Sequence, residues 1–195
     1  MNKTIENAKR YVGGHWNEIG QKVFKLLKEE GLKPEHILLD IGMGSGRCAV
    51  KLMPYLDKYN YYGIEKHDWL IDAFYAEEPD LRKTFPTIFH NDSFNFNYID
   101  KKIDFAIAKS VFTHLTKPKI KQCLDNLKEV IAKDGKFYAS IFIGDSSKNP
   151  KEDHDNKRFN YSIEEIQELA EGWNIKNLGN RGCKRQTMLF FTLCQ

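Results

Sequence analysis

The segment Asp40-Ile41-Gly42-Met43-Gly44-Ser45-Gly46-Arg47 puts a carboxylate and three alternating glycines between an apolar run and a helical stretch. Glycines there let the backbone turn tightly and a ligand approach the main chain closely. Spacing separates the ligands such a loop can hold. A phosphate-cradling Walker loop needs Gly-x-x-x-x-Gly-Lys-Ser/Thr, which this segment lacks. A dinucleotide fingerprint needs Gly-x-Gly-x-x-Gly, and counting from Gly42 puts Arg47 where the third glycine should stand. A carboxylate at Asp40, pointing into the same pocket, would repel a pyrophosphate and attract an ammonium. Taken alone, the loop also reads as a tight turn with no ligand.

Further positions carry chemistry. Tyr62-Gly63-Ile64-Glu65 closes a second apolar run with an acid 25 residues after Asp40. Its two acceptor oxygens suit both hydroxyls of a ribose, the role an acid plays in dinucleotide folds; beside Lys66 it also reads as a surface ion pair. Asn91-Asp92-Ser93 follows a third run and is either a binding turn or an Asx turn. His114, just beyond a fourth run, has the residue type of a general base working near neutral pH. It reads equally as a histidine bonding backbone at a helix start. His15, Asp153 and His154 are weaker candidates, since packing explains the first and a solvated loop the other two.

The elements that must position these residues alternate helix and strand. Trp16, Ile19, Val23, Phe24, Leu26 and Leu27 recur at helical spacing, with Gly31 and Pro34 as the stop. Strands are expected at 37–41, 61–64, 87–90, 103–108 and 137–143, and helices at 47–56 and 69–77. Another helix has Pro118 in its first turn and Ile120, Cys123, Leu124, Leu127, Val130 and Ile131 on one face, with Gly135 placed for a left-handed cap. Residues 144–160 form a long polar loop. Ser162 and Glu165 have capping-box spacing, and two apolar runs, 173–178 and 187–194, suit an antiparallel hairpin. Repeated strand-helix-strand units imply a doubly wound, mostly parallel α/β sheet, which binds ligands outside the carboxyl ends of its strands.

With these motifs in register, the sequence resembles the class I S-adenosylmethionine-dependent methyltransferases from about Tyr11 to Leu193. The glycine loop matches the family's first motif. Ile103 to Leu115 is similar to its fourth, and Ala132 to Lys136 with the following strand to the next. The resemblance implies a single Rossmann-like domain over residues 1–195, with an N-terminal helical cap at 1–34 and a substrate-side loop at 144–160. It implies S-adenosylmethionine as cofactor, S-adenosylhomocysteine as product, and a cofactor site of Asp40, Gly42, Met43, Gly44, Gly46, Glu65, Asp92, Ser93 and Lys109. In a bacterial branch, a segment similar to Tyr11-Val12-Gly13-Gly14-His15-Trp16 closes over the cofactor. Lys109 stands where base-modifying branches carry Asn/Asp-Pro-Pro-Tyr/Phe or Pro-Cys, and where metal-dependent branches carry an acid. A nucleic-acid acceptor and a metal are therefore not expected.

The expected acceptor is a small molecule, a hydroxyl of a sugar, sugar nucleotide or phosphorylated metabolite, with His114 as catalytic base, in glycan or secondary-metabolite assembly. Lys109, Lys117, Lys119, Lys148, Lys151, Lys157 and Arg158 would suit an anionic acceptor if they converge; with Glu152, Asp153 and Asp155 between them, a solvated mixed-charge loop is the plainer reading. A nucleotide-dependent oxidoreductase and a non-catalytic S-adenosylmethionine-binding protein are the competing classes. The 195 residues fit one domain, and 30 Lys+Arg against 27 Asp+Glu leave +3, too little to argue for nucleic acid or a membrane surface. The amino terminus has no apolar core of a secretory signal, no apolar run approaches the ~20 residues of a membrane span, and the four cysteines are scattered. A cytoplasmic setting is expected.

Overall fold

The structure, a computed structural model, describes residues 5–194. The chain divides into two compact units with the boundary between Ser93 and Phe94.

In the first unit, α1 (Ile5–Tyr11) and α2 (Trp16–Glu29) precede β1 (Leu38–Ile41), α3 (Ala49–Leu52), β2 (Tyr61–Glu65), α4 (Asp68–Glu77) and β3 (Thr87–His90). Helix α2 buries Ile19, Val23, Leu26 and Leu27, the stripe that the i, i+4, i+7, i+8 spacing foretells. It ends in a Schellman motif, with Leu32 N–H on Leu27 O and Gly31 N–H on Lys28 O. Strands β1 and β2 are buried at every residue, as befits parallel strands covered on both faces. β1 pairs with β2 and β2 with β3, all parallel, and Asp40 lies opposite Gly63. Helix α3 is shorter than the expected 47–56. Pro54 lacks the N–H that would continue the ladder, and the chain runs on to Leu56 in turns.

The second unit contains β4 (Ile103–Ala108), α5 (Lys117–Val130), β5 (Ile131–Ile143), β6 (Asn160–Tyr161), α6 (Ile163–Leu169), β7 (Trp173–Asn177) and β8 (Thr187–Leu193). β4 and β5 are parallel, as are β5 and β6, whereas β5–β8 and β7–β8 are antiparallel. The C-terminal hairpin therefore forms as its apolar runs suggest, and the fold is a mixed α/β one, mostly parallel with antiparallel C-terminal strands. Phe137 anchors an aromatic core, its ring centroid 5.1 Å from Phe191 and 6.0 Å from Phe112. The capping box of Ser162 and Glu165 opens α6.

A second boundary also differs from expectation. Ile131 is the first residue of β5, not the last of α5, and adopts an extended conformation (ψ 144°). Gly135 lies within that strand and caps nothing. It is needed for close approach, because a Cβ there would stand 2.8 Å from Ile103 O and 2.5 Å from Ile131 Cγ1.

Candidate active site

Strand β1 ends directly in the glycine loop. Gly44 (φ +59°) and Gly46 (φ +84°) adopt left-handed conformations that side chains disfavour. Space reinforces the choice, since a Cβ on Gly46 would lie 2.1 Å from the Phe74 ring of α4 and one on Gly44 2.7 Å from Val12 Cγ1. Glu65, at the end of β2, is buried and holds this loop. Its Oε2 accepts the Gly44 N–H at 2.9 Å, and its Oε1 accepts the His67 N–H at 3.0 Å. Burial pushes the Glu65 carboxyl above the usual carboxylate range, and those backbone donors hold it down. A carboxylate offers about four lone-pair sites. After two backbone bonds each oxygen keeps acceptor capacity, so the residues present fit a pair of vicinal hydroxyls.

Asp40 behaves differently from a carboxylate aimed at a ligand. It is 2% exposed, and its Oδ2 accepts the Tyr61 hydroxyl at 2.9 Å. Burial raises its pKa from 3.8 to about 7, against the opposing pull of Tyr61 and of the Arg47 charge. Tyr61 in turn is pushed well above its ordinary value by burial and by Asp40. Sequence reasoning passed over Tyr61. Gly63 lies opposite Asp40, and its missing side chain makes room: a Cβ there would lie 3.1 Å from the Tyr61 ring and 2.7 Å from Met43 Sδ. Met43 is thus buried against β2, its N–H on Ile64 O. Asp92 and Ser93 are exposed, and Ser93 N–H donates to Asn91 Oδ1 at 3.0 Å, which makes the Asx turn weighed above.

The segment between α1 and α2 lies on the loop. Arg47 Nη1 donates to Val12 O at 2.8 Å, and Trp16 Nε1 donates to Ser45 Oγ at 3.3 Å. Tyr11 packs edge-on against Trp69, with its hydroxyl 3.2 Å from His67 Nε2. His15, in a left-handed conformation (φ +46°), faces Glu18 at 3.5 Å. Arg47, which in the sequence served only to exclude a dinucleotide fingerprint, is a buried tether between loop and N-terminal segment.

In the second unit β4 leads into Lys109, Ser110 and a 3₁₀ turn, Phe112–His114. His114 Nδ1 lies 3.2 Å from His154 O and 3.0 Å from Lys157 O. Both neighbours only accept, so Nδ1 carries the hydrogen and the neutral ring keeps its lone pair on Nε2. Residues 153–159 are fastened to this turn by His154 N–H on His114 O, Phe159 N–H on Thr113 O, and Thr116 N–H on Asp153 Oδ1. Asp153 and His154 thus hold the turn. Lys109 is buried, its Nζ donating to Ser110 Oγ at 2.9 Å and to Gln186 Oε1. The other cations are engaged separately: Lys117 pairs with Glu165 at 2.7 Å, and the Arg158 guanidinium stacks 3.8 Å from the Phe142 ring centre. Lys119 lies in the first turn of α5, and Lys148 and Lys151 lie in the exposed stretch before Asp153. Among the described residues, no group of three or more His, Cys, Asp or Glu is placed to hold a metal.

Solved structures share this fold. A glycopeptide N-methyltransferase crystallised with S-adenosylmethionine superposes with a TM-score of 0.71 at 12% identity, over 90% of this chain and 94% of its own. An S-adenosylmethionine-dependent methyltransferase from Clostridium acetobutylicum gives 0.71 at 12%, over 94% of each chain. The magnesium protoporphyrin IX methyltransferase of Synechocystis, with bound S-adenosylmethionine, gives 0.67 at 16%, over 97% of this chain and 84% of its own. The fold is that of the class I S-adenosylmethionine-dependent methyltransferases. The methyltransferase domain family also matches the sequence itself, over residues 39–139, and the chain belongs to that family.

Proposed function

We propose that this methyltransferase uses S-adenosylmethionine to methylate a hydroxyl of a small acceptor, a sugar, sugar nucleotide or phosphorylated metabolite, and releases S-adenosylhomocysteine. The observation that carries the reading is the buried Glu65 carboxylate bonded to the main chain of the glycine loop. When bound, the cofactor supplies a methyl group already activated on a sulfonium. Glu65 would accept the two ribose hydroxyls, with Gly42, Gly44 and Gly46 giving the main chain its close approach. Asp92 and Ser93 would lie toward the adenine, and Asp40, turned onto the Tyr61 hydroxyl, would brace the end of β1 instead of meeting the cofactor's charge.

The acceptor side is assigned to His114. A hydroxyl nucleophile must lose a proton as it attacks, whereas an amine attacks through a lone pair it already has. With Nδ1–H held by two carbonyls, Nε2 is the nitrogen that takes the hydroxyl proton. Residues 153–159 fix the ring, so removing that proton needs no reorientation. The two carbonyls also stabilise the imidazolium that results, since its Nδ1–H keeps its acceptors. The whole chain would work as one methyltransferase domain, in the cytoplasm and in glycan or secondary-metabolite assembly. Its four cysteines, three of them buried, suit a reducing compartment.

The test is a screen of neutral and anionic sugars, sugar nucleotides and phosphorylated metabolites for S-adenosylhomocysteine release, with amines alongside. Turnover confined to hydroxyl acceptors is expected. Turnover of amines alone would overturn the hydroxyl assignment, and stabilisation by NAD(P) instead of S-adenosylhomocysteine would overturn the cofactor assignment.

A further inference from the structure

Three donors converge on one oxygen at the carboxyl end of β4. Gln186 Oε1 accepts from Ser140 Oγ at 2.8 Å, from Ser110 Oγ at 3.1 Å and from Lys109 Nζ. The direction of each proton is fixed. Ser140 Oγ accepts the Ser110 N–H at 2.8 Å, so its own hydrogen goes to Gln186. Ser110 Oγ accepts from Lys109 Nζ, so its hydrogen goes there too. An amide oxygen has two lone pairs, whereas a carboxylate presents about four acceptor sites over two oxygens. The donor set therefore exceeds what an amide can take and matches a carboxylate, with an ammonium among the donors.

Two further observations mark the cluster as built. Ser110 is held at φ +63°, a left-handed conformation unusual for serine. That conformation turns its N–H onto Ser140 and its hydroxyl onto the shared oxygen. Ser140 is fully buried and Lys109 only 7% exposed, so the slot is shielded from water. Gln186 belongs to the link 178–186 between β7 and β8 and is itself half-buried. Its side chain can turn away without disturbing the β5–β8 pairing, which begins at Thr187.

We infer that Lys109, Ser110 and Ser140 form a carboxylate-binding slot, that Gln186 fills it as a built-in stand-in, and that the acceptor of the reaction carries a carboxylate. This rests on the methyltransferase reading above, and it gives Lys109 an acceptor-side task in place of the cofactor-side one. Binding displaces the Gln186 amide, and the acceptor's two oxygens take the three donors that now crowd one.

The experiment uses propionate, whose carboxylate and short chain reproduce the end of a glutamine side chain, with propionamide and chloride as controls at equal ionic strength. In Gln186→Ala the slot is open, and a saturable rise in melting temperature with propionate is expected. Propionamide should need at least tenfold more solute for the same rise and chloride should give none, and the half-saturating propionate concentration should rise at least tenfold in Gln186→Ala/Lys109→Met and in Gln186→Ala/Ser140→Ala. Equal responses to all three solutes, or a propionate response that survives both double variants, would overturn the slot. Should Gln186→Ala not fold, Gln186→Glu supplies the carboxylate covalently. It should melt above wild type, and melting at or below wild type would overturn the proposal. Wild type is titrated with S-adenosylhomocysteine in parallel: its failure to bind refutes the methyltransferase reading and leaves the propionate result standing, so the two failures are distinguishable.

Discussion

Replacing Asp40 with asparagine should change how stability depends on pH, and the size of the change follows from where the carboxyl lies. Asp40 keeps its proton to about pH 7 in the folded protein because its carboxylate would be buried, with Tyr61 and Arg47 recovering only part of the lost hydration. In the unfolded chain the same group ionises near 3.8. Between these values the folded state holds a proton that the unfolded state has released. Stability from this group is therefore fully present below 3.8 and is lost as pH rises through about 7. About three pH units at about 1.4 kcal/mol each amount to about 4 kcal/mol. The asparagine of Asp40→Asn would still accept the Tyr61 hydroxyl and has no proton to lose. Urea unfolding of both proteins at half-unit steps from pH 4 to pH 8 reads the difference directly. Wild type should fall relative to Asp40→Asn by about 4 kcal/mol over that range and then level off. Parallel curves would show that Asp40 ionises normally and would refute the burial argument. Glu65, also raised by burial, acts in the same direction and is present in both proteins.

Other outcomes follow from the same geometry. His114→Ala should lower kcat by about 10²–10⁴-fold while leaving S-adenosylhomocysteine affinity unchanged by calorimetry, as expected for a base that acts only in the transition state. Arg47→Ala removes the buried donor to Val12 O. It should cost about 1.5–3 kcal/mol in urea unfolding and speed tryptic cleavage at Lys9 and Arg10. Gly46→Ala sets a methyl 2.1 Å from the Phe74 ring at a left-handed φ, and should destabilise by about 2 kcal/mol or more in the same assay.

What the sequence made legible was what local chemistry decides. The three glycines announced a tight loop because side chains disfavour that backbone path, and β3 and β4 begin and end where their apolar runs do. Glu65 was recognisable as an acid at a strand end, yet its bond to Gly44 N–H comes from residues 21 apart and has no sequence signature. Asp40 was read as facing a ligand; its turn toward Tyr61 depends on the β1–β2 register, which spacing alone does not reveal. Ile131 continued the apolar spacing of α5 and so looked helical. The strand won because Gly135 lets β5 pass close against Ile103. Gln186 gave no signal at all, since a polar residue in a glycine-containing link becomes informative only once three donors are seen to meet on its oxygen.

Calorimetric titration of wild type and Glu65→Ala with S-adenosylhomocysteine probes the cofactor site without intermediary. One saturable site is expected in wild type. Loss of the carboxylate acceptor of two hydroxyls should weaken that site by about 100-fold or more. Equal affinity in the two proteins, or no binding in wild type under conditions where NAD(P) binds, would contradict the assignment of Glu65 to the ribose.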